Sequence, residues 1–193
     1  SYVDSDNKII LNGYDAKQED LKEFGTAPEW YRLEAEMGSP RRKNNDSGTY
    51  ECKNPCIAEH DDKKFSNGFL MGNIESNYDG VEWQFNSPVK GKYEVKIGYA
   101  AGSFDGSKKA KPSFITTTAE VGLTRNADFS HYPVSTMNEL EYTGWDTVSV
   151  SEQTVEIELD EGKNFIYCLK LDSVDCGIFQ IDYIDIRLTE TLD

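Results

Sequence analysis

Apolar side chains recur at every second position through most of the chain, the mark of strands that bury one face. Tyr31, Leu33, Ala35 and Met37 alternate with Arg32, Glu34 and Glu36, and Val81, Trp83 and Phe85 alternate with Glu82 and Gln84. Tyr93, Val95, Ile97 and Tyr99 follow the turn residue Gly91. Ile115, Thr117, Ala119, Val121 and Leu123 form a β-branched run, as do Val155, Ile157 and Leu159, and Phe165, Tyr167, Leu169 and Leu171 make a sixth segment. Gln180 to Leu188 changes phase: Ile181 and Tyr183 share one face, while Ile184, Ile186 and Leu188 share the other. A slip of one residue predicts a bulge or a strand that serves two sheets. Ser87-Pro88, Lys90-Gly91, Asp160-Glu161-Gly162 and Asp175-Cys176-Gly177 separate the runs as turns, and the whole reads as an all-β sandwich.

Helical patterning is confined to Asp15–Phe24, with Leu21 and Phe24 on the inward side. Residues 1–28 read as a linker or N-terminal extension, 29–190 as the sandwich module and 191–193 as a C-terminal tail. The stretches 41–66 and 102–112 are polar and read as loops.

Charge changes the picture of what such a sandwich can bind. Thirty-five acidic against 20 basic side chains give a net charge of −15, which repels phosphate backbones and argues against a nucleic-acid partner. No apolar run reaches the ~20 residues that cross a bilayer, so no membrane partner is expected. Ser1–Asp6 has neither the basic nor the apolar part of a signal peptide, so a signal is expected outside this sequence. Eleven Tyr, nine Phe and three Trp are generous for so hydrophilic a chain, and some of those rings are expected at a binding surface. The cysteines Cys52, Cys56, Cys168 and Cys176 leave open two disulfides, free buried thiols or a four-thiolate metal site, though their spacing is wider than zinc knuckles use. Disulfides Cys52–Cys56 and Cys168–Cys176 are the expectation carried forward, and with them secretion or attachment to a cell surface.

Glu34 and Glu36, two apart in a strand, lie on one face about 6.6 Å apart along the backbone at ~3.3 Å per residue, within reach of one cation. Calcium takes roughly six to eight oxygens, so a third acid and backbone carbonyls are needed; Asp182 in the closing strand is the candidate. Two solvated glutamates on an edge strand is the competing reading.

The order Leu33-Glu34-Ala35-Glu36, Gly80-Val81-Glu82-Trp83-Gln84-Phe85, Gly91 to Ala100, Gly144-Trp145-Asp146-Thr147, Glu161 to Ile166 and Ile181-Asp182-Tyr183-Ile184-Asp185-Ile186 resembles carbohydrate-binding modules of families 6 and 35 over about Tyr31–Leu188. The resemblance implies a jelly-roll β-sandwich of two antiparallel sheets, a structural calcium on Glu34, Glu36 and Asp182, and a glycan site in the loops at one end. It places the stacking aromatic at Trp145 and a hydrogen-bonding amide at Gln180. A second aromatic falls near Phe69 or Leu70. Phe lacks the more usual tyrosine hydroxyl and Leu cannot stack. Segments 41–62 and 125–142 are insertions against the family pattern. The second brings in Tyr132 and Tyr142 as further candidates for the ligand platform.

No Ser-His-Asp, Gly-x-Ser-x-Gly or metal-hydrolase signature occurs, and His60 and His131 form no motif. The expected function is therefore non-catalytic: a monomeric module that binds a polysaccharide or oligosaccharide, with neutral plant polysaccharides first in line, and that targets covalently linked catalytic or surface modules. A protein-interaction or adhesion sandwich is the alternative, and a small lyase or hydrolase comes third.

Overall fold

The computed structural model describes residues 2–3, 8–11, 14–17, 30–41, 56–59, 65–102, 108–119, 121 and 129–193. Two antiparallel sheets carry the fold. The larger runs β12 (Gly144–Val150), β9 (Gly91–Ala101), β15 (Phe179–Thr191), β7 (Phe69–Ile74) and β6 (Cys56–Glu59), with β13 (Val155–Leu159) also on β9 and β4 (Tyr31–Glu34) also on β15. The smaller runs β11 (Ser135–Thr136), β10 (Ser113–Thr117), β14 (Gly162–Leu169), β8 (Gly80–Ser87) and β5 (Ser39–Arg41). This is the expected all-β jelly-roll sandwich. A separate meander is formed by β1 (Tyr2–Val3), β2 (Lys8–Leu11) and β3 (Tyr14–Lys17). The helix expected from Asp15 thus begins as strand, and residues 18–29, with Leu21 and Phe24, lie outside the described residues.

Alternation explains the core between the sheets. Val81, Trp83 and Phe85 from one sheet meet Tyr93, Val95, Ile97, Ile184 and Ile186 from the other, all almost fully buried. Strand β14 departs from the simple pattern. Ile166 and Cys168 face the core, while Phe165, Tyr167 and Leu169 belong to a second cluster with Ile115 and Phe129 on the other side of the small sheet. The run expected to face the core is buried, but beneath the insertion at 129–132, where Phe129 meets Tyr167 edge-on at 5.1 Å between ring centroids.

The first strand is shorter than its alternation predicts. Strand β4 stops at Glu34, and Ala35–Met37 form a 3₁₀ turn closed by Gly38 N–H donating to Ala35 O at 3.0 Å. The cause is topological: β4 pairs with β15 in the large sheet, whereas β5, two residues after that turn, pairs with β8 in the small one. The chain crosses between sheets there, and Trp83 Nε1–H donates to Glu34 O at 2.8 Å to pin the crossing. Strand β6 falls in the stretch read as loop, and β5 runs into it at Arg41. Pro40 marks β5 as an edge strand, where a missing N–H costs nothing.

Cys168 and Cys176 are free buried thiols, which corrects the expected bond between them. Cys176 Sγ accepts from Lys111 N–H at 3.1 Å and faces Gly177 O at 3.2 Å, so its surroundings already satisfy it. Burial raises both thiols above their ordinary range, Cys176 to about 11. Cys52 and the side chain of Cys56 lie outside the described residues.

Strands β8 and β14 leave no room for a side chain at Gly80, where a Cβ would stand 1.9 Å from Cys168 O. Neither backbone can yield without breaking ladder bonds. Gly80→Ala is expected to cost about 1–3 kcal/mol in a denaturant melt; an unchanged midpoint would contradict this packing.

Candidate functional site

The first centre is a knot of acids where β15 changes partner. On one side β15 pairs with β9 throughout. On the other it pairs with β7 through Phe179 and Ile181, and with β4 from Tyr183 to Ile186. Asp182 sits at that handover, inside the register shift between Ile181 and Tyr183. The phase slip seen in the sequence is therefore a bulge, and bulges re-aim side chains. Asp182 turns to the tight turn before β7: Ser66 N–H donates to both its carboxylate oxygens at 3.0 Å. Ser66 Oγ donates to Glu34 Oε1 at 2.7 Å, and Asn67 Nδ2 donates to Glu36 Oε1 at 3.2 Å. Asn67 is left-handed, φ 53°, a conformation that asparagine tolerates better than most residues.

Glu34, Glu36 and Asp182 are thus brought together, by a route the alternation did not contain. Glu36 lies on the 3₁₀ turn, not on a strand face with Glu34. The two glutamates share one division: one oxygen is held by Ser66 or Asn67, and the other, Oε2, is buried without a hydrogen-bond partner among the described residues. Buried unpartnered carboxylate oxygens are costly. Burial raises Asp182 to about 7, with Glu34 and Glu36 adding to the rise, and burial likewise raises Glu34. The three acids ring the Ser66–Asn67 turn, and among the described residues no group of three His, Cys, Asp or Glu side chains forms a metal cluster by itself. The donor set is nevertheless hard oxygen with two unsatisfied ligand atoms, which fits calcium once backbone carbonyls complete the shell. Ser66 and Asn67 escaped the sequence reading; the Ser-Asn-Gly turn signal at 66–68 marked their place but not their partners.

The second centre is a cleft of about 280 Å³ at one end of the sandwich. Glu75, Gly102, Lys108, Lys170, Asp172, Asp175 and Gly177 are among its walls. Its loops are stitched together: Asp79 Oδ2 accepts from Ser76 N–H at 2.8 Å, Lys170 N–H donates to Asp79 O at 2.8 Å, and Asp172 N–H donates to Asn77 Oδ1 at 2.9 Å. Gly177 N–H donates to Lys109 O at 3.0 Å, and only a glycine allows that approach, since a Cβ would lie 2.3 Å from Lys108 O. The cations are matched to acids: Lys170, whose side chain is 9% exposed, pairs with Asp172 at 2.7 Å, and Lys108 pairs with Asp175. That pairing holds Asp175 below its ordinary carboxylate range, so it is a poor proton donor.

Trp145 is half-buried, with its indole laid on Gly102 at the rim of this cleft; a Cβ there would come within 2.3–2.8 Å of three ring atoms. Gly144 pairs with Ala101 and Gln180 with Ala100, so Trp145 and Gln180 flank the last residues of β9 from either side. Gln180 Oε1 is buried and unpartnered. Tyr142 is exposed beside them, next to Thr143, whose N–H donates to Ala101 O at 2.9 Å. Phe69 and Tyr132 do not join this group. Phe69 opens β7 at the Ser66 end, five residues or roughly 17 Å of strand from Ile74. Tyr132 packs near Phe129, ring centroids 6.3 Å apart, on the outer side of the small sheet.

Among solved structures, a family 35 carbohydrate-binding module from Clostridium thermocellum superposes with a TM-score of 0.54 at 16% identity, over 80% of this chain and 96% of that one. The CBM35 of Cellvibrio japonicus Abf62 gives 0.53 at 16% identity, over 84% and 95%. An exo-beta-1,3-galactanase from Phanerochaete chrysosporium, solved with galactose, gives 0.57 at 15% identity, over 93% of this chain and 32% of that one. The chain spans about a third of the galactanase and nearly all of the two modules. Its fold is that of the family 35 carbohydrate-binding modules. No protein-family model and no curated protein sequence matches the chain.

The acid knot makes metal-free stability depend on pH in a definite direction. Asp182 ionises near 3.8 when unfolded and about 7 when folded, so the folded state holds the extra proton between those values. In chelator the melting temperature should therefore fall as pH rises from about 4 through about 7. Asp182→Asn should flatten that slope; a wild-type profile flat or rising over the same range would contradict the geometry of the knot.

Proposed function

We propose that this chain is a non-catalytic carbohydrate-binding module that holds a polysaccharide or oligosaccharide at the loop-end cleft. The observation that carries the reading is the pairing at the end of β9: a half-exposed Trp145 lying on the cleft residue Gly102, with the unpartnered Gln180 amide oxygen across the strand. An aromatic face covers the apolar C–H face of a sugar ring, and a fixed amide distinguishes its hydroxyls. The cleft acids support binding over hydrolysis. Two of the cleft's three acids among the described residues, Asp172 and Asp175, are each tied to a lysine, whereas a glycosidase needs one raised, protonated carboxyl across from a free carboxylate. A neighbour in which a CBM35 accompanies a mannanase supports a role in directing an attached catalytic module; attachment to surface modules, export and a monomeric state are part of the same proposal.

Calcium belongs to the same reading. Glu34, Glu36 and Asp182 would hold it, with Ser66 and Asn67 keeping the glutamates aimed, and its charge would balance carboxylates that otherwise repel across the β4–β15–β7 junction. Such a cation would be structural, held by Asp182 two residues along β15 from Gln180.

Affinity electrophoresis in xylan, mannan, galactan and glucan gels tests the function. Retardation in at least one gel, lost in Trp145→Ala with the melt unchanged and weakened roughly fivefold in Gln180→Ala, is the expected outcome. A Trp145→Ala variant that melts normally and is still fully retarded would contradict the site.

A further inference from the structure

The candidate platform residues divide between two ends of the sandwich, and the second end has a cleft of its own. About 250 Å³ in volume, it lies where β10 ends and β14 begins, lined by Thr116, Thr117, Thr118, Tyr132, Leu159 and Asn164, with Lys90, Glu158 and Asp160 also at its walls. From Asn164 to Lys170, which lines the first cleft, six residues of β14 and its end separate the two by roughly 20 Å. We infer that this second cleft is a distinct subsite for a neutral oligosaccharide, with Tyr132 as its aromatic wall. The inference rests on the carbohydrate reading above.

The chemistry of the walls selects the ligand class. Leu159 is buried and Tyr132 half-buried, so the exposed part of the Tyr132 ring is the apolar wall that a ligand meets. Around it the frame is rigid, with Asn164 as a buried brace and the threonine hydroxyls facing a ligand. Asn164 is fixed by three bonds: its Oδ1 accepts from Asp160 N–H at 3.0 Å, and its Nδ2 donates to Asp160 O at 2.8 Å and Gly162 O at 2.9 Å. Thr116 Oγ1 donates to Glu158 O at 2.9 Å and Thr117 Oγ1 to Ala119 O at 2.7 Å. With their protons committed to the main chain, both hydroxyl oxygens keep lone pairs to accept from a ligand. Lys90 is exposed and makes no ion pair among the described residues, so its ammonium can donate, while the exposed Glu158 and Asp160 carboxylates can accept. A sugar presents an apolar C–H face and hydroxyls that both donate and accept. Phosphate-bearing ligands would meet two carboxylates against one ammonium, and a flat apolar ligand would bury hydroxyls without partners.

Two subsites on one rigid sandwich make the module bivalent toward a long glycan, which raises retention on a polymer without strengthening either site alone. The divided arrangement also accounts for Tyr132, which the loop-end site leaves aside.

Backbone amide NMR titrations of the full chain with β-1,3-galactotriose, xylohexaose and mannohexaose read the two clefts separately. The expected result is that one or more of these sugars shifts both the amides of Thr116–Thr118 and Asp160 and those of Gly102 and Gly177. Tyr132→Ala and, as an exposed alternative that does not disturb packing, Lys90→Ala should each suppress the first set and leave the second. Trp145→Ala should do the reverse. Shifts at Gly102 and Gly177 with none at Thr116–Thr118 overturn the second subsite and leave the loop-end reading standing. Shifts at neither set overturn both, and shifts at Thr116–Thr118 that persist in both Tyr132→Ala and Lys90→Ala overturn the assignment of the subsite to this cleft.

Discussion

The change of partner along β15 at Asp182 is the constraint on which the rest of the large sheet depends. A strand that gives one edge to β9 along its length must divide its other edge between β7, its neighbour through Ile181, and β4, its neighbour from Tyr183. Where the two meet, backbone pairing lapses, and the chain fills the gap with side chains. Asp182, Glu34 and Glu36 come from three different elements and all reach the Ser66–Asn67 turn. The join is tight but incompletely satisfied, because each glutamate keeps a buried oxygen with no partner. On the proposed reading a divalent cation would resolve that deficit. On this account the same acids close the fold and leave the loop end free to vary.

That freedom is visible in how the two ends are built. The strands run rigidly between them, so each cleft is framed by strand termini and by turns locked with short local bonds: Asp79 and Asn77 at one end, Asn164 at the other. The aromatic residues proposed for recognition occupy half-exposed positions on this frame, Trp145 against Gly102 and Tyr132 near Phe129. The second ring is held by an aromatic cluster on the outer side of the small sheet, which explains why β14 is buried on both faces. Binding residues placed on rigid supports need little ordering when a ligand arrives.

Much of this was legible in the alternation. The runs at Val81–Phe85, Tyr93–Tyr99 and Val155–Leu159 face the core as their period requires, and the phase slip read after Tyr183 lies beside the bulge at Asp182. Three things were not legible, each for a physical reason. The turn at Ala35–Met37 hides inside an unbroken alternation because a crossing between sheets is a matter of topology, not of local pattern. The strand Ser39–Arg41 carries no period, being a short edge that contains Pro40. The double burial of β14 depends on an insertion folding back over it, and no residue of β14 states that by itself. Of the site, the three acids were found by type and order, while Ser66 and Asn67 were missed because their role is to hold other residues. Tyr132 lies away from Trp145, on the outer side of the small sheet, since a chain position within an insertion does not say which face the insertion covers.

The central claim is that the Glu34–Glu36–Asp182 knot is a cation site that closes the large sheet. Calorimetric titration of the chelator-stripped chain with calcium tests it most directly, with Asp182→Asn and Ser66→Ala alongside. The account predicts one calcium per chain, affinity lost in Asp182→Asn, and a weaker but measurable site in Ser66→Ala that Ser66→Thr restores. A stripped, folded wild-type chain that takes up no calcium, or that binds it equally well with Asp182→Asn, contradicts it.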